Sequence, residues 1–200
     1  MLELIIASQN EGKIREIVEI LDPNDIKVYT YKDFPEWPEV EEIGSTFYDN
    51  ALIKARALVD AFGKPAVADD SGLEVDALGG KPGVYSARYA GEEGNADKNN
   101  AKLLRELHDV PEPQRTARFR CVAVLMTPDG WITSTDGTFE GHIGFEPHGE
   151  RGFGYDPIFI PEGETRTVAE IPLSEKNKIS HRAKAFKKLK EKIAENLHIK

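Results

Sequence analysis

Two adjacent carboxylates follow a short apolar run in this sequence. The run 66–68 (Ala-Val-Ala) leads directly into Asp69 and Asp70, and then into Ser71-Gly72. We expect 66–68 to form a short buried strand, which places the acids where the strand leaves the sheet, the edge at which open α/β sheets bind ligands. Neighbouring carboxylates need a cation, and Mg²⁺ takes oxygen ligands while keeping water for substrate phosphates. The same four residue types also favour turns, so this stretch alone leaves both a magnesium site and a polar turn open.

A polar loop and a lysine follow the first predicted strand. The loop 8–12 connects this N-terminal apolar run to Lys13 and an amphipathic helix. A cation in the first turn opposes the helix dipole unless an anion lies beside it, and the free N–H groups of a helix start bind phosphate. We therefore predict that the loop and Lys13 bind phosphate. Helix capping, by Ser8 with Glu11 or by Asn10, is the simpler explanation of the same polar residues.

A pair of basic side chains lies at another predicted helix start. His181 and Arg182 follow Ser180, whose hydroxyl is typical of a helix N-cap, and the apolar spacing predicts a helix to about residue 196. The N-terminal end of a helix is the unfavourable end for a cation. We therefore predict that one anionic or polar ligand is shared between this helix start and the one at Lys13.

Other polar and aromatic residues are also candidates for contact with the same ligand. Glu42 precedes a helix predicted from Thr46 to Gly63, on which Asn50 and Lys54 are four residues apart and share a face. A solvated helix face explains that pair without a ligand. The loop 152–157 carries two aromatic residues beside a glycine. Carboxylates for a metal, cations for phosphates and an aromatic ring for stacking together predict a nucleoside triphosphate site.

The other elements predict a fold of the α/β class. Hydrophobic periodicity and turn residues indicate a strand over 26–30, an exposed and mobile proline-rich connection over 32–42, an extended glycine-rich segment over 73–89, a helix over 95–107, and a hairpin of 115–126 with 131–139.

Composition limits the partners of the chain. Its 200 residues are 40% hydrophobic and 30% charged, which suits one domain with a sizeable core. No apolar run approaches the roughly 18 residues of a membrane span, and the acidic N-terminus is a poor signal peptide, so we expect a cytoplasmic protein with no membrane partner. The net charge of −9 argues against nucleic-acid binding. The one cysteine, Cys121, fits a buried hydrophobe in a reducing compartment.

Several motifs together resemble one known family, the inosine triphosphate pyrophosphatase (Ham1-like) family of non-canonical purine nucleoside triphosphate pyrophosphatases. The resemblance runs from about residue 3 to about residue 189, with no departure at the motif positions. The segments that carry it, in order, are Ser8-x-Asn10-x-x-Lys13; Glu42-x-Gly44-x-Thr46-Phe47 with Asn50-Ala51-x-x-Lys54-Ala55; Ala68-Asp69-Asp70-Ser71-Gly72-Leu73; Gly79-Gly80-x-Pro82-Gly83-Val84-Tyr85-Ser86-Ala87-Arg88; Phe153-Gly154-Tyr155-Asp156-Pro157; and Lys176-x-x-x-Ser180-His181-Arg182.

The resemblance implies a fold, a reaction and a cofactor. The fold would be α/β, an elongated mixed sheet with flanking helices, forming a single domain over residues 1–200 with two lobes around a central nucleotide cleft. The reaction would be Mg²⁺-dependent hydrolysis of XTP, ITP and dITP to the monophosphate and pyrophosphate. It would be carried out by a homodimer and would keep deaminated purines out of DNA and RNA.

The resemblance also assigns roles by position. Glu42 and Asp70 would be the metal ligands, and Asp70 would also be the general base. The residues in contact with substrate would be Ser8, Gln9, Asn10, Glu11, Gly12 and Lys13 at the triphosphate, together with Lys54, Ser71, Phe153, Gly154, Tyr155, Asp156, Lys176, His181 and Arg182. From the residues alone, the division of roles between Asp69 and Asp70 stays open.

Two other functions fit the same residues. A nucleotide-binding module would sense triphosphates without cleaving them. A pyrophosphatase for other nucleotides, such as modified pyrimidines, would share the triphosphate site and differ at the base. Selectivity for a 6-keto purine would come from donors such as backbone N–H groups, Lys176 or Arg182 aimed at the keto oxygen, because an adenine amino group would leave them unpaired.

Overall fold

The structure is a computed structural model, and it describes residues 2–21, 26–92 and 94–196. Strands and helices follow one another along this part of the chain, with short 3₁₀ turns between some of them. They are β1 (Leu2–Ile6), α1 (Glu11–Leu21), β2 (Ile26–Tyr29), α2 (Phe47–Phe62), β3 (Ala66–Val75), α3 (Ala96–Glu106), β4 (Thr116–Met126), β5 (Ile132–Ile143), β6 (Phe159–Pro161), α4 (Leu173–Ile179) and α5 (His181–Asn196).

The strands form one mixed sheet in the order β2-β1-β3-β4-β5-β6. β1 pairs in parallel with both β2 and β3, and Ile5 lies opposite Ala66. β5 and β6 pair in antiparallel fashion, with His142 opposite Ile160. β4 and β5 are neighbours joined by a turn in which Thr127 N donates to Trp131 O, so the predicted hairpin is confirmed. The predicted α/β class with a mixed sheet and flanking helices is likewise confirmed.

The described residues divide into two compact units, each with its own core. The first unit lies within Met1–Asp70, Cys121–Gly137 and Arg182–Lys200, and the second within Ser71–Arg120 and Thr138–His181. β1, α1 and α5 supply much of the first core, where Leu4, Ile17 and Phe186 are buried. The second core contains Leu103 of α3 and Phe159 of β6. Burial of these apolar side chains is the main stabilising contribution in each unit.

Side-chain caps begin two helices where the sequence predicts them. Thr46 and Asp49 form a capping box at the start of α2, and Gly63 ends that helix in the left-handed region with φ 60°. Asn95 caps α3, its side chain accepting from the amide of Lys98. The predicted helices over 46–63 and 95–107 are therefore confirmed to within one residue at each end.

The strand that begins at residue 66 is longer than predicted. β3 runs over Ala66–Val75, so Asp69 and Asp70 lie in its interior, and both the strand-end placement and the polar-turn alternative are wrong. The predicted extended segment over 73–89 continues only to Val75, after which a 3₁₀ turn covers Asp76–Leu78. A buried strand tolerates these acids because each of them has charged and hydrogen-bonding partners.

The proline-rich connection packs against α2. Phe34 stacks on Phe62 with ring centroids 4.0 Å apart, and the ring of Trp37 lies 5.8 Å from the same ring. Phe34 and Trp37 are half-buried, so the prediction of an exposed connection is wrong for these side chains. Aromatic packing therefore attaches the chain to α2 shortly before it reaches Glu42.

The short elements β6 and α4 were not predicted. β6 has 3 residues and α4 has 7, which is too short for a hydrophobic period to be recognised. Within the described ranges, no helix has the length and apolar character needed to cross a membrane.

The aromatic packing predicts a stability effect in the connection. Replacement of Phe34 by Ala should lower the free energy of unfolding by about 1–2 kcal/mol, because it removes a half-buried ring and its stacking on Phe62. Urea denaturation checks this, with Glu36→Ala, an exposed change in the same segment, as the control expected within about 0.5 kcal/mol of the parent protein. Equal midpoints for the two variants would show that the connection does not pack as described.

Candidate functional site

The two acids of β3 occupy separate surroundings. Successive side chains of a strand point to opposite faces of the sheet, so Asp69 and Asp70 face in opposite directions although they are neighbours in the chain. Asp69 is 2% exposed and Asp70 is 5% exposed. A buried carboxylate is costly without compensation, so the partners of each acid indicate its role.

Asp69 is held in a buried group of four charges. Its Oδ2 accepts from Nη2 of Arg182 at 3.0 Å and from Nε at 3.3 Å, and Nζ of Lys13 lies 3.6 Å away. Nη1 of Arg182 donates to the carboxylate of Glu16. Burial works to lower the pKa of Arg182, but the negative charges of Asp69 and Glu16 outweigh it and raise that pKa. Two acids and two bases thus neutralise one another, and Arg182 stays charged.

Cys121 adjoins this group. Its Sγ lies 3.7 Å from Oδ2 of Asp69, and the side chain is fully buried. Burial, and then the neighbouring charge of Asp69, raise the pKa of this thiol well above its usual value. The thiol therefore stays protonated, which agrees with the expectation of a buried hydrophobe.

Asp70 has a different and weaker set of partners. Nδ2 of Asn50 donates to its Oδ2 at 3.0 Å, and Nζ of Lys54 lies 3.8 Å from its Oδ1, beyond hydrogen-bonding distance. Burial raises the pKa of Asp70 above its usual value, and the charges of Lys54 and Lys13 offset this only in part. The charged neighbours of Asp70 therefore compensate its burial only in part.

Lys54 joins Asp70 to Glu42. Nζ of Lys54 donates to the carbonyl oxygen of Asp69 at 2.7 Å and lies 3.1 Å from Oε1 of Glu42. Burial lowers the pKa of Lys54, but the charges of Asp70, Glu42 and Asp69 raise it further than burial lowers it. One ammonium group therefore lies beside both carboxylates that the sequence predicts as metal ligands.

This donor set suits a hard divalent cation that retains part of its hydration. The carboxylates of Glu42 and Asp70 share one positive neighbour, Lys54. Across residues 2–21, 26–92 and 94–196, no group of three or more His, Cys, Asp or Glu side chains could hold a metal ion. Two protein carboxylates, with water and phosphate as the other ligands, match the way Mg²⁺ is usually bound.

The loop before α1 is organised by Asn10. Its Oδ1 accepts from the amides of Gly12 at 2.9 Å and Lys13 at 3.1 Å, and Oγ of Ser8 accepts from the Asn10 amide at 3.1 Å. Of the two capping arrangements, the Asn10 cap is the one present, whereas Glu11 accepts from Tyr31 and Lys32. Asp69 supplies the anion that a first-turn Lys13 requires, so phosphate binding by residues 8–13, including Gln9, stays a prediction.

Carboxylates also offset the unfavourable interaction between the charge of Arg182 and the dipole of its helix. It lies in the first turn of α5, and the carboxylates of Asp69 and Glu16 provide the negative charge there. Lys13 and Arg182 therefore meet at one acid, whereas the ligand predicted to be shared between the two helix starts stays a prediction. Their shared anionic partner is Asp69. Contact of Arg182 with a base stays a prediction.

A second group of predicted residues lies in the second unit. Nζ of Lys176 donates to Oδ2 of Asp156 at 2.8 Å and lies 4.8 Å from the ring centroid of Phe153. The same Oδ2 accepts from the amide of Phe153 at 3.0 Å. A Cβ at Gly152, where φ is +75°, would lie 2.1 Å from that oxygen, so the loop requires glycine there. Asp156 and Lys176 thus form a buried pair that fixes the aromatic loop.

The other predicted residues of this unit are mostly committed to packing. The hydroxyl of Tyr155 donates to the carbonyl oxygen of Ser86 at 2.8 Å, and the ring lies in the second core. The carbonyl oxygen of Gly154 accepts from Nδ2 of Asn100 at 3.1 Å. The imidazole of His181 stacks on Phe119 with ring centroids 4.9 Å apart. Ser71 is half-exposed in β3. For these residues, nucleotide contact stays a prediction.

Sequence reasoning did not include Glu16 or Asn50 in the site. The sequence nevertheless contains an indication for each residue. Glu16 is an acid between Ile14 and Ile17 in the apolar stripe of α1, and Asn50 shares a helix face with Lys54. Their partners, however, are 166 and 20 residues away in the chain, and spacing within one helix does not identify them.

Comparison of the sequence with known proteins identifies one family and close relatives within it. A family model described as the Ham1 family matches residues 4–192. The chain is 51% identical to the dITP/XTP pyrophosphatase of Bacillus licheniformis over 94% of its own length and 96% of that relative. It is 50% identical to the dITP/XTP pyrophosphatase of Geobacter sulfurreducens, with coverage of 96% and 97%.

Solved structures agree with the sequence comparisons. The Ham1 protein of Staphylococcus aureus superposes with a TM-score of 0.86 at 41% identity, covering 96% of this chain and 98% of that one. A HAM1 protein from Coxiella burnetii superposes with a TM-score of 0.87 at 43% identity, with coverage of 98% and 100%.

The different surroundings of the two acids predict opposite effects on stability. Asp69→Asn should lower the free energy of unfolding by about 3–5 kcal/mol, because it removes one of the two acids that balance Arg182 and Lys13 and leaves Glu16 as the one acid of that group. Asp70→Asn should raise the melting temperature at pH 7, because ionising a carboxyl whose pKa is raised by burial disfavours folding. Thermal unfolding of both variants beside the parent protein measures the two effects.

The pH dependence provides the control. The gain from Asp70→Asn should shrink as the pH falls through the raised pKa of Asp70 and vanish below 3.8, the usual pKa of Asp, because the carboxyl is then protonated in both the folded and the unfolded chain. A gain that stays constant with pH, or a loss at neutral pH, would contradict the assignment of Asp70 as the under-compensated acid.

Proposed function

The chain belongs to the Ham1 family, and from this membership we propose that it is a nucleoside triphosphate pyrophosphatase that hydrolyses XTP, ITP and dITP to the monophosphate and pyrophosphate. The resemblance in the sequence motifs is confirmed by the family model and by relatives about 50% identical over nearly the whole chain. In the cell, this reaction would keep deaminated purines out of DNA and RNA.

The observation that carries the proposal for this chain is the state of Asp70. It is a buried carboxylate with a raised pKa, oriented by Asn50 and placed beside Lys54 and Glu42. Raising the pKa of an acid towards neutrality makes its carboxylate a stronger base, which suits it to take a proton from water. Asp69, by contrast, is neutralised by Arg182 and Lys13. We therefore assign the general-base role to Asp70.

A Mg²⁺ ion would suit the carboxylates of Asp70 and Glu42. Glu42 and Asp70 would hold it, with water and phosphate oxygens as its remaining ligands. When bound, it would supply positive charge to the phosphates and so favour attack by water at the α phosphorus. Lys54 lies beside both carboxylates and stays charged, because its pKa is raised. We propose that it adds to the charge that neutralises the triphosphate.

Triphosphate binding is assigned to the loop 8–13. Asn10 caps α1 and fixes the path of the loop, and Lys13 lies in the first turn of that helix. The half-buried Lys13 lies 3.6 Å from Asp69, which is longer than a direct hydrogen bond, so the ammonium keeps donors for a phosphate. The helix dipole favours the same ligand.

Base recognition is assigned to residues from the aromatic loop and the start of α5. Stacking of a purine on Phe153 would contribute roughly 1–3 kcal/mol, judged by other base–aromatic contacts. Lys176, held by Asp156, is a fixed donor suited to a 6-keto oxygen. The other base and sugar contacts are proposed for Ser71, Gly154, Tyr155, His181 and Arg182. An adenine amino group would leave such a donor unpaired, which costs on the order of 1–3 kcal/mol.

The proposal includes the state and location of the protein. We propose a homodimer in the cytoplasm that takes a purine nucleoside triphosphate as its substrate and has neither nucleic acid nor membrane as a partner. The net charge of −9 supports the absence of nucleic-acid binding, because a phosphodiester backbone requires a basic surface.

A nucleotide panel tests the proposed reaction. With Mg²⁺ and equal concentrations of ITP, XTP, dITP, ATP, GTP and modified pyrimidine triphosphates, we expect pyrophosphate from the first three. Turnover of ATP should be at least about tenfold slower, as one unpaired donor predicts. Chelation of Mg²⁺ should abolish the release of pyrophosphate. Orthophosphate as the product, or an ATP rate equal to the ITP rate, would contradict the proposal.

Replacement of the base separates catalysis from binding. Asp70→Asn should lower kcat at least about 100-fold while ITP binding by calorimetry persists, because general-base catalysis typically contributes 10²–10⁴-fold. Asp60→Asn, the same chemical change at an exposed position of α2, should leave kcat unchanged. Binding of ITP without turnover by the parent protein would instead favour a nucleotide sensor.

A further inference from the structure

One buried amide connects the two carboxylates assigned to the metal. Asn50 lies in the first part of α2 and is 1% exposed. Its Nδ2 donates to Oδ2 of Asp70 at 3.0 Å, and its Oδ1 accepts from the amide of Gly44 at 2.7 Å. Gly44 is two residues after Glu42. A single side chain therefore contacts both Asp70 and the short segment that carries Glu42.

The backbone at Gly44 is shaped to allow this contact. A Cβ built at that position would lie 2.6 Å from Oδ1 of Asn50, 2.6 Å from Cβ of Asp49 and 2.9 Å from the backbone N of Asn50. Any side chain at residue 44 would therefore push the segment away from α2. Glycine is required here because of this close approach.

An amide is the side chain that this position needs. Asparagine is neutral and carries both a donor and an acceptor, so it satisfies the Gly44 N–H and Asp70 at once. An aspartate of the same size would place a further negative charge beside Asp70 and could not donate to it when ionised. A leucine would leave both groups buried without this partner.

We propose that Asn50 is a positioning residue that holds Asp70 and the Glu42 segment in one fixed arrangement, so that the two carboxylates bind a single divalent cation together. The inference rests on the proposed function, which assigns Glu42 and Asp70 as the ligands. Asn50 itself contacts neither metal nor substrate in this assignment. It acts through the orientation of Asp70 and the position of residue 44, as groups behind metal ligands do elsewhere.

Two variants break the link from opposite sides. Asn50→Ala removes the amide, and Gly44→Ala keeps it but inserts the clashing Cβ. Binding of Mn²⁺, as a paramagnetic substitute for Mg²⁺, is measured by electron paramagnetic resonance on the nucleotide-free protein. We expect each variant to bind Mn²⁺ at least about tenfold more weakly, the lower end of the usual loss when such a partner is removed.

The matched control is another buried asparagine. Asn99 in α3 is 4% exposed and bonds through its side chain to the backbone of Ala90 and Ala87. Asn99→Ala removes a buried amide with a comparable number of hydrogen bonds, in the other unit, and should leave the Mn²⁺ Kd within twofold of the parent protein. Circular dichroism and thermal unfolding establish which variants are folded, and Gly44→Ala decides the matter if Asn50→Ala does not fold.

Steady-state kinetics add an independent readout. In both variants, the Mg²⁺ concentration for half-maximal pyrophosphate release should rise about tenfold or more, and saturating Mg²⁺ should restore most of kcat. A purely structural role would instead lower the amount of folded enzyme without moving this concentration. An unchanged Mn²⁺ Kd in folded variants, or no Mn²⁺ binding by the parent protein, would overturn the inference.

The two proposals fail in different ways. A parent protein that binds Mn²⁺ through this arrangement, with weaker binding in both variants, but releases no pyrophosphate would reject the proposed function and retain the role of Asn50. A parent protein that releases pyrophosphate while both variants keep the parental Mn²⁺ Kd would reject the role of Asn50 and retain the function.

Discussion

The alternation of side chains along β3 is the constraint on which the site depends. Because Asp69 and Asp70 are consecutive in a strand, they face opposite sides of the sheet, and each must be compensated by whatever packs on its own side. On one side, Arg182 and Lys13 neutralise Asp69, with Glu16 as the second acid. On the other side, Asp70 has an amide donor at 3.0 Å and an ammonium at 3.8 Å. Two adjacent acids therefore have different partners.

This difference separates stability from function within one dipeptide. The Asp69 group links segments of the first unit, because its charges are balanced and the partners of Asp69 come from α1 and α5. Asp70 is less well compensated, and its raised pKa shows that ionisation is disfavoured by burial. Carboxyl groups with perturbed pKa values are typical of functional sites. We propose that Asn50, Lys54 and Glu42 are the surroundings that suit Asp70 to act as a general base and metal ligand.

The sequence predicted features that depend on local spacing. The helix from Thr46 to Gly63 and the helix over 95–107 each follow from residues within a few positions, and both were confirmed to within one residue at each end. Motif resemblance also identified the family. The predicted length of β3 was wrong because polar residues in a sequence usually indicate the end of a buried strand, and the partners that allow them inside this strand are distant in the chain. Glu16, Asn50 and the packing of Phe34 on Phe62 depend on contacts between segments distant in the chain, which periodicity within one element does not reveal.

The central claim is that metal and base chemistry belong to Asp70, while Asp69 holds cations of the protein itself. The most direct measurement is a crystal structure of the protein soaked with Mn²⁺, in which anomalous scattering locates the ion. The account predicts one ion bound by the carboxylates of Asp70 and Glu42, with Asp69 still bonded to Arg182. An ion ligated by Asp69, or an Arg182 released from Asp69 while the ion binds elsewhere, would contradict it.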